Sequence, residues 1–367
     1  LALSYWRLGS QGFNPSIALE DVGYESNPTL EANGLEQEDE TATLKAQLDW
    51  LARASSRLFV EGRGAISQEE YREHSLLSGE RGELRLDGYA LFRRSFYRLQ
   101  AAYEKTRRNP TSEINDRPLT ERSSTSLLYQ SQLGASWLLE GELFQFDLSH
   151  ERDSSAALLD QETQGARAVL LLQSGKRFWP FLELHHHDLS FTNPAAIRES
   201  RQQLAFLGMR NEFNSRSHFN LKLGRTWLDH QLAEGHLKDQ STSVEAYVSS
   251  NFSRRFKGEI GHVRQSLHSV ITLTHYDSRR WLIGMRFQLS PAANLAGDLW
   301  WGSNAYPQAE TGSIQSDELG SATLSLNWTA RKAWSFRLGG EYNRRESEDP
   351  GLSASQYRLL AEARWKP

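Results

Sequence analysis

Apolar and polar side chains alternate with a period of two from one end of this chain to the other. Leu84, Leu86 and Gly88 share one parity, with Arg85, Asp87 and Tyr89 on the other. Leu324, Leu326 and Trp328 alternate with Thr323, Ser325 and Asn327. Near the end, Tyr357, Leu359, Ala361, Ala363 and Trp365 alternate with Arg358, Leu360, Glu362 and Arg364. Successive side chains of a strand point to opposite faces, so this pattern predicts strands with one apolar and one polar face.

A soluble β-sandwich would show the same alternation, and the punctuation between strands separates the two cases. Short breaks fall near 53–57, 93–96, 139–141, 174–177, 214–217, 253–257, 290–293 and 330–333. Longer polar breaks fall near 28–40, 68–80, 105–123, 151–163, 190–200, 229–241, 268–278, 303–319 and 344–355. The eight short and nine long connections alternate without exception, which predicts 18 strands. Sixteen is the alternative, because 202–213 carries apolar residues at both parities and 256–276 is weakly patterned. Short turns at one rim and long loops at the other are the pattern of outer-membrane barrels. The expected fold is therefore all-β: a transmembrane antiparallel β-barrel over 13–367, with periplasmic turns and termini and extracellular loops. Residues 1–12 read as the tail of a preceding periplasmic segment.

Composition narrows this further. With 24% charged and 38% hydrophobic residues, no stretch holds the roughly 18 uninterrupted apolar residues that a membrane-spanning helix needs. Barrels escape hydropathy averages because only alternate residues face lipid. The 11 Trp and 12 Tyr suit membrane interfaces. Trp50, Phe92, Trp137, Phe213, Phe252, Trp328 and Trp365 all sit where an apolar face meets a short turn, as an aromatic girdle would. The absence of cysteine excludes disulfides and thiolate metal sites. No charged-then-apolar segment begins the chain, which reads as a mature form or part of a longer protein.

Charge is distributed unevenly over the connections. The nine long ones sum to −16, against a chain total of −4. The first, with Glu31, Glu36, Glu38, Asp39 and Glu40, is an acidic exit loop. The eight short ones sum to +11 and form a basic periplasmic rim. Its residues are Arg53, Arg57, Arg93 and Arg94, then Lys176, Arg177 and Arg216, then Arg254, Arg255, Lys257, Arg331 and Lys332. This arrangement reads either as loops in water and turns beside anionic lipid head groups, or as an acidic mouth for cationic solute and a basic dock for an acidic periplasmic or lipoprotein partner. The longest loop, 105–123, breaks the trend with Arg107, Arg108, Arg117 and Arg122, and has the length to fold inward.

Parity assigns the pore lining. Early strands contribute Glu61, Arg63, Arg85, Asp87, Tyr89, Arg98 and Glu104. Middle strands add Trp179, Glu183, His185, Lys222 and Glu245. The last strands add Arg286, Asp298, Trp300, Arg337, Glu341, Arg358 and Glu362. Both signs occur close together, as in a ladder of pairs stiffening the wall or a polar, aromatic-dotted track for a hydrated polymer. His185-His186-His187 offers only two rings to one face and no further ligand, so no metal or other cofactor is expected. No acid/base carboxylate pair and no G-x-S-x-G elbow points to an enzyme, and nothing supports nucleic-acid binding.

The segment Pro15-Ser16-Ile17-Ala18-Leu19, followed by Gly23-Tyr24-Glu25-Ser26-Asn27-Pro28, resembles the first strand of barrels used in exopolysaccharide secretion. Leu1–Gly9 resembles the end of a tetratricopeptide helix, as in the Pel, poly-N-acetylglucosamine and cellulose exporters. The resemblance implies a porin exporting a biofilm-matrix polysaccharide. A partly deacetylated, cationic amino-sugar polymer would suit the acidic loop. The chain departs from many such barrels in ending Trp365-Lys366-Pro367 instead of on an aromatic residue. A general or substrate-specific diffusion porin and a surface-lipoprotein delivery barrel are the alternatives. For every reading, outer-membrane lipid and lipopolysaccharide are expected partners.

Overall fold

The computed structural model describes residues 6–8, 11–27, 37–107, 118–151, 157, 160–173, 178–192, 199–214, 216–232, 235–269, 275–306, 315–331, 333–348 and 352–366. The first strands are β1 (Trp6–Leu8), β2 (Gln11–Ser26), β3 (Glu38–Arg53), β4 (Leu58–Tyr71), β5 (Gly79–Leu91) and β6 (Ser95–Arg107). Next come β7 (Leu119–Leu133), β8 (Trp137–His150), β9 (Gln161–Leu172), β10 (Trp179–Phe191), β11 (Glu199–Asn214) and β12 (Ser217–Leu232). The last are β13 (Gly235–Asn251), β14 (Phe256–His268), β15 (His275–Ser290), β16 (Ala293–Tyr306), β17 (Gln315–Arg331), β18 (Trp334–Ser347) and β19 (Ala354–Trp365).

Each strand from β2 onward pairs antiparallel with the next, and β19 returns to β2 with Trp365 opposite Ile17 and Arg358 opposite Glu25. β2–β19 are thus a closed barrel of 18 strands, as the alternating punctuation predicts. β1 is an extra short strand that folds back on β2, Trp6 opposite Phe13. The helical tail expected before the barrel is therefore not continued at Trp6–Leu8, and 1–5 lie outside the described residues.

Register converts alternation into two surfaces. Gly62, Leu86, Ala101 and Thr125 are successive neighbours on one face; Glu61, Asp87, Gln100 and Ser126 are neighbours on the other. The first face is outward. Ile66, Leu143, Leu207 and Leu359 are 72%, 59%, 71% and 64% exposed, while Glu183, Thr226, Asn304 and Asp317 are 0% exposed on the inner face. Such a chain would be inside out in water; a hydrocarbon surround removes the contradiction. Closure also removes sheet edges, so every ladder hydrogen bond is made within the wall. Leu143→Arg, on the outer face, is expected to cost about 2–4 kcal/mol of folding free energy in lipid. Ser126→Arg, on the inner face, is expected to be near neutral. Equal effects in unfolding titrations would sink the face assignment.

The connections differ from expectation in two ways. The break read at 139–141 lies inside β8, and the turn is at Gly134–Ser136, where Gly134 has a φ of +72° that glycine accommodates without strain. Glu140 consequently lies on the inner wall and not in a turn. The polar stretch 229–241 is not a long loop, because β12 and β13 remain paired from Ser217–Ser250 up to Leu232–Gly235. Several other long loops are shorter than predicted for the same reason. Polar residues past the apolar belt still satisfy their backbone groups best by continuing the ladder.

Candidate functional site: the barrel lumen

The inner wall is built from cross-strand ion networks because parity places acids and bases at neighbouring ladder positions. In β3–β6, Arg63 Nε meets Asp49 at 2.7 Å. Asp87, 5% exposed, accepts from Arg85 at 2.7 Å and Arg98 at 2.8 Å, and Arg98 also donates to Gln100. Tyr89 stacks on Phe59 at 4.6 Å and donates to Glu61 at 3.5 Å. Glu104 stands opposite Arg122 on the same face.

A second network crosses β9–β13. Glu183 is fully buried and accepts from Arg167 at 2.8 Å, His185 at 2.7 Å and Lys222 at 3.3 Å. Lys222 continues to Glu245 at 3.0 Å and lies 5.4 Å from the Phe206 ring. His187 shares the inner face with His185, whereas His186 faces outward to Asp188 at 2.9 Å. No group of three or more metal-binding side chains occurs among the described residues.

The third arc, β14–β19, like Arg63 and Arg85 of the first, holds charged side chains open to the interior. Arg286, Asp298 and Arg337 are exposed although they point inward, and Arg280 lies 5.2 Å from the Trp300 ring. Arg358 reaches Glu25 at 3.4 Å and Glu341 at 3.9 Å; Arg364 reaches Glu20 at 2.7 Å and Glu362 at 3.1 Å. Apart from exposed positions such as Arg286, Asp298 and Arg337, most acidic and basic positions read from parity are therefore joined into networks, mostly with partners one strand away.

Sequence reasoning missed an apolar sector of the same wall. Val169, Leu171 and Phe181 are 0%, 1% and 4% exposed on the inner face, packed with Leu138 and Trp179. Arg210 covers the Phe181 ring at 4.9 Å and reaches Glu140 at 3.6 Å. Phe206 and Leu228 extend this sector. Its sequence signals are the unbroken apolar run Ala168–Leu172 and the loss of clean alternation around 202–213, both of which reflect apolar residues facing both ways.

The segment behind the secretion-barrel resemblance closes the barrel. A bulge between Glu20 and Gly23, with Asp21 at φ 52°, shifts the register of β2. Beyond it Glu25, 0% exposed, accepts from Tyr71 at 3.0 Å and Gln356 at 2.8 Å, and Asn27 donates to the Ser355 carbonyl at 3.0 Å. Glu25 and Asn27 thus clasp β2 to β19 and β4.

The acidic stretch is only partly a loop. Glu38, Asp39 and Glu40 belong to β3, while Glu31 and Glu36 lie outside the described residues. Asp39 is 4% exposed and accepts from the backbone of Glu73 and His74 and from the His74 ring at 2.9 Å, so it anchors the connection after β4. Glu40 pairs with Arg72 at 3.1 Å. At the opposite rim Arg57, Arg93, Arg94, Arg216, Arg254 and Arg255 are exposed in the short turns, and Arg53 is exposed at the end of β3. Lys257 belongs to β14 and is not a turn residue. Lys176, Arg177, Lys332, Arg108, Arg117 and the side chains of Arg331 and Phe213 are outside the described set.

No family model matches the sequence, and no curated protein matches it. The fold is similar to that of solved outer-membrane proteins. OccAB3 of Acinetobacter baumannii shares 10% identity at a TM-score of 0.53, over 97% of this chain and 99% of that one. OpdK of Pseudomonas aeruginosa shares 13% at 0.53 over 97% and 99%. OccK2 of the same organism, solved in complex with glucuronate, shares 12% at 0.54 over 96% and 98%. The larger FrpB iron transporter of Neisseria meningitidis also aligns at 0.53 and 9% identity, and 62% of its length is covered. With the outward apolar belt and the polar interior, these likenesses show the fold: a closed 18-stranded antiparallel β-barrel of the outer-membrane type.

Proposed function

We propose that this barrel is a passive pore for hydrophilic solutes. The observation that carries this is the solvent exposure of Arg63, Arg286, Asp298 and Arg337, charged side chains on the inner face. An 18-stranded wall is wide enough to leave an aqueous interior, and groups that would be neutralised or paired in a packed core stay charged in one. Ions and small polar solutes would cross beside a charged arc and opposite the apolar sector near Phe181. Solutes combining a charged group with an apolar face fit such a lumen best.

Purified barrel in planar bilayers is expected to conduct in discrete, ohmic steps. Exchanging Arg286 and Arg337 for Glu should move the reversal potential in a salt gradient toward cation preference. A barrel that stays silent without added partners would overturn the open-pore reading.

Export of a cationic polysaccharide is the second reading. It is supported by the unlike ends, with Glu38 and Glu40 near the long loops and six exposed arginines at the short turns. In that reading the termini and arginines face the periplasm and receive an acidic periplasmic or lipoprotein partner. The resemblance around Gly23–Asn27 adds less, because Glu25 and Asn27 serve barrel closure.

A further inference from the structure

Pores of this kind are surrounded by lipid, and the outer face of β14–β18 carries a feature that a plain hydrocarbon contact does not need. A groove of about 680 Å³ lies there at the long-loop end. Its side chains are layered by height, one layer per two residues of strand, or roughly 7 Å.

The lowest layer is apolar: Leu299 and Ala322 line the groove, and Ile283 and Ile260 follow them as consecutive neighbours around the barrel. Above it stand His262, Trp281 and Trp301, with His262 and Trp281 4.3 Å apart and the two indoles stacked at 6.3 Å. Gly320 continues this layer and leaves a gap beside Trp301. The top layer places Arg264 directly opposite Arg279. Like charges facing each other across a strand pair are destabilising. Neither arginine has a carboxylate partner among the described residues, and the pair Arg344–Glu346 and Glu318 close the far side.

We propose that this groove binds the phosphorylated diglucosamine head group of the outer-leaflet glycolipid. One phosphate would bridge Arg264 and Arg279, relieving their repulsion through charge-assisted hydrogen bonds. A sugar ring would lie against the Trp301 face over Gly320, and acyl chains would descend over Ile283 and Leu299. The order of layers — cation pair, aromatic rings, aliphatic floor — matches an amphiphile standing with its tails toward the membrane centre. The distance to the girdle at the other rim places the groove at an interface. Eight residues separate Trp301 from Ala293, the register partner of the girdle residue Trp328. Along a strand tilted by about 40° that is roughly 20 Å of height, close to the apolar band of such barrels. The proposal rests on the long loops facing outward and is independent of what crosses the lumen.

Native mass spectrometry of the detergent-solubilised full chain tests it, with bisphosphorylated lipid A, its dephosphorylated form and phosphatidylglycerol as probes. Bisphosphorylated lipid A is expected to bind at least tenfold more tightly than the other two. Arg264→Gln/Arg279→Gln should abolish that preference. Gly320→Phe should weaken lipid A binding without altering charge; a Cβ there has ordinary space, the nearest atom being 3.7 Å away. The heat-dependent gel shift of folded barrels verifies folding of each variant. Equal binding of the three lipids, undiminished binding by folded variants, or full displacement by millimolar inorganic phosphate would each overturn the proposal. Bilayer conductance of the same samples reports separately on the pore.

Discussion

Glu183→Ala is expected to destabilise the barrel by about 3 kcal/mol. The carboxylate is completely buried and holds Arg167, His185 and Lys222 together. Removing it leaves an arginine on β9 and a lysine on β12 with no acid between them; Lys222 keeps Glu245, and Arg167 keeps only the charges of Glu140 and Glu142 on β8. Truncating one member of a buried ion network costs more than the network contributes, because the survivors stay desolvated. The lower end of the usual range applies, since the Arg167 and His185 side chains are 23% and 18% exposed and water screens them. Glu183→Gln should cost less, because its amide oxygen still accepts one hydrogen bond. Combining Glu183→Ala with Lys222→Met should restore part of the loss, as expected for directly coupled positions. Unfolding titrations in detergent or vesicles measure all three. A loss below about 1 kcal/mol for Glu183→Ala would show that the network is solvated and contributes little.

Gly23→Ala is expected to be worse, preventing closure altogether. A Cβ at Gly23 would overlap the Leu359 carbonyl oxygen, which belongs to the backbone of β19 and cannot rotate away. The β2–β19 seam would have to part beside the Glu20–Gly23 bulge, with loss of neighbouring contacts such as Gln356 to Glu25. Unpaired backbone groups of an open seam have no water to turn to within the membrane, and each costs several kcal/mol. Gly64→Ala is the control, because no atom lies within 4 Å of a Cβ there. The expected result is loss of the heat-modifiable folded band for Gly23→Ala and wild-type yield for Gly64→Ala. Normal refolding of Gly23→Ala would mean that the bulge can relax, and the seam would not depend on this glycine.

The two variants mark different degrees of legibility. Glu183, Lys222 and Glu245 can be placed on one face from parity alone, because a strand fixes side-chain direction every second residue. That they meet at one carboxylate depends on the stagger between β10, β12 and β13, and stagger leaves no trace in any single strand's pattern. Gly23 looks like one of many strand glycines. Its constraint comes from a strand more than 300 residues away in the chain. Asp39 is a similar case: it reads as one acid in an acidic loop, yet tertiary contacts with Glu73 and His74 make it a structural anchor.

The alternation of residues and of connection lengths by itself determined the class, the strand number and which residues share a face. Those properties are local, set by backbone geometry and by the need of each strand to offer lipid one apolar side. The tertiary structure alone decided where the turns fall around Gly134 and Leu232, and which bases meet which acids. It also decided that an apolar sector interrupts the lumen at Val169, Leu171 and Phe181, and that Arg264 stands beside Arg279 on the outer wall. Each of these depends on register between strands, which is chosen collectively when the barrel closes.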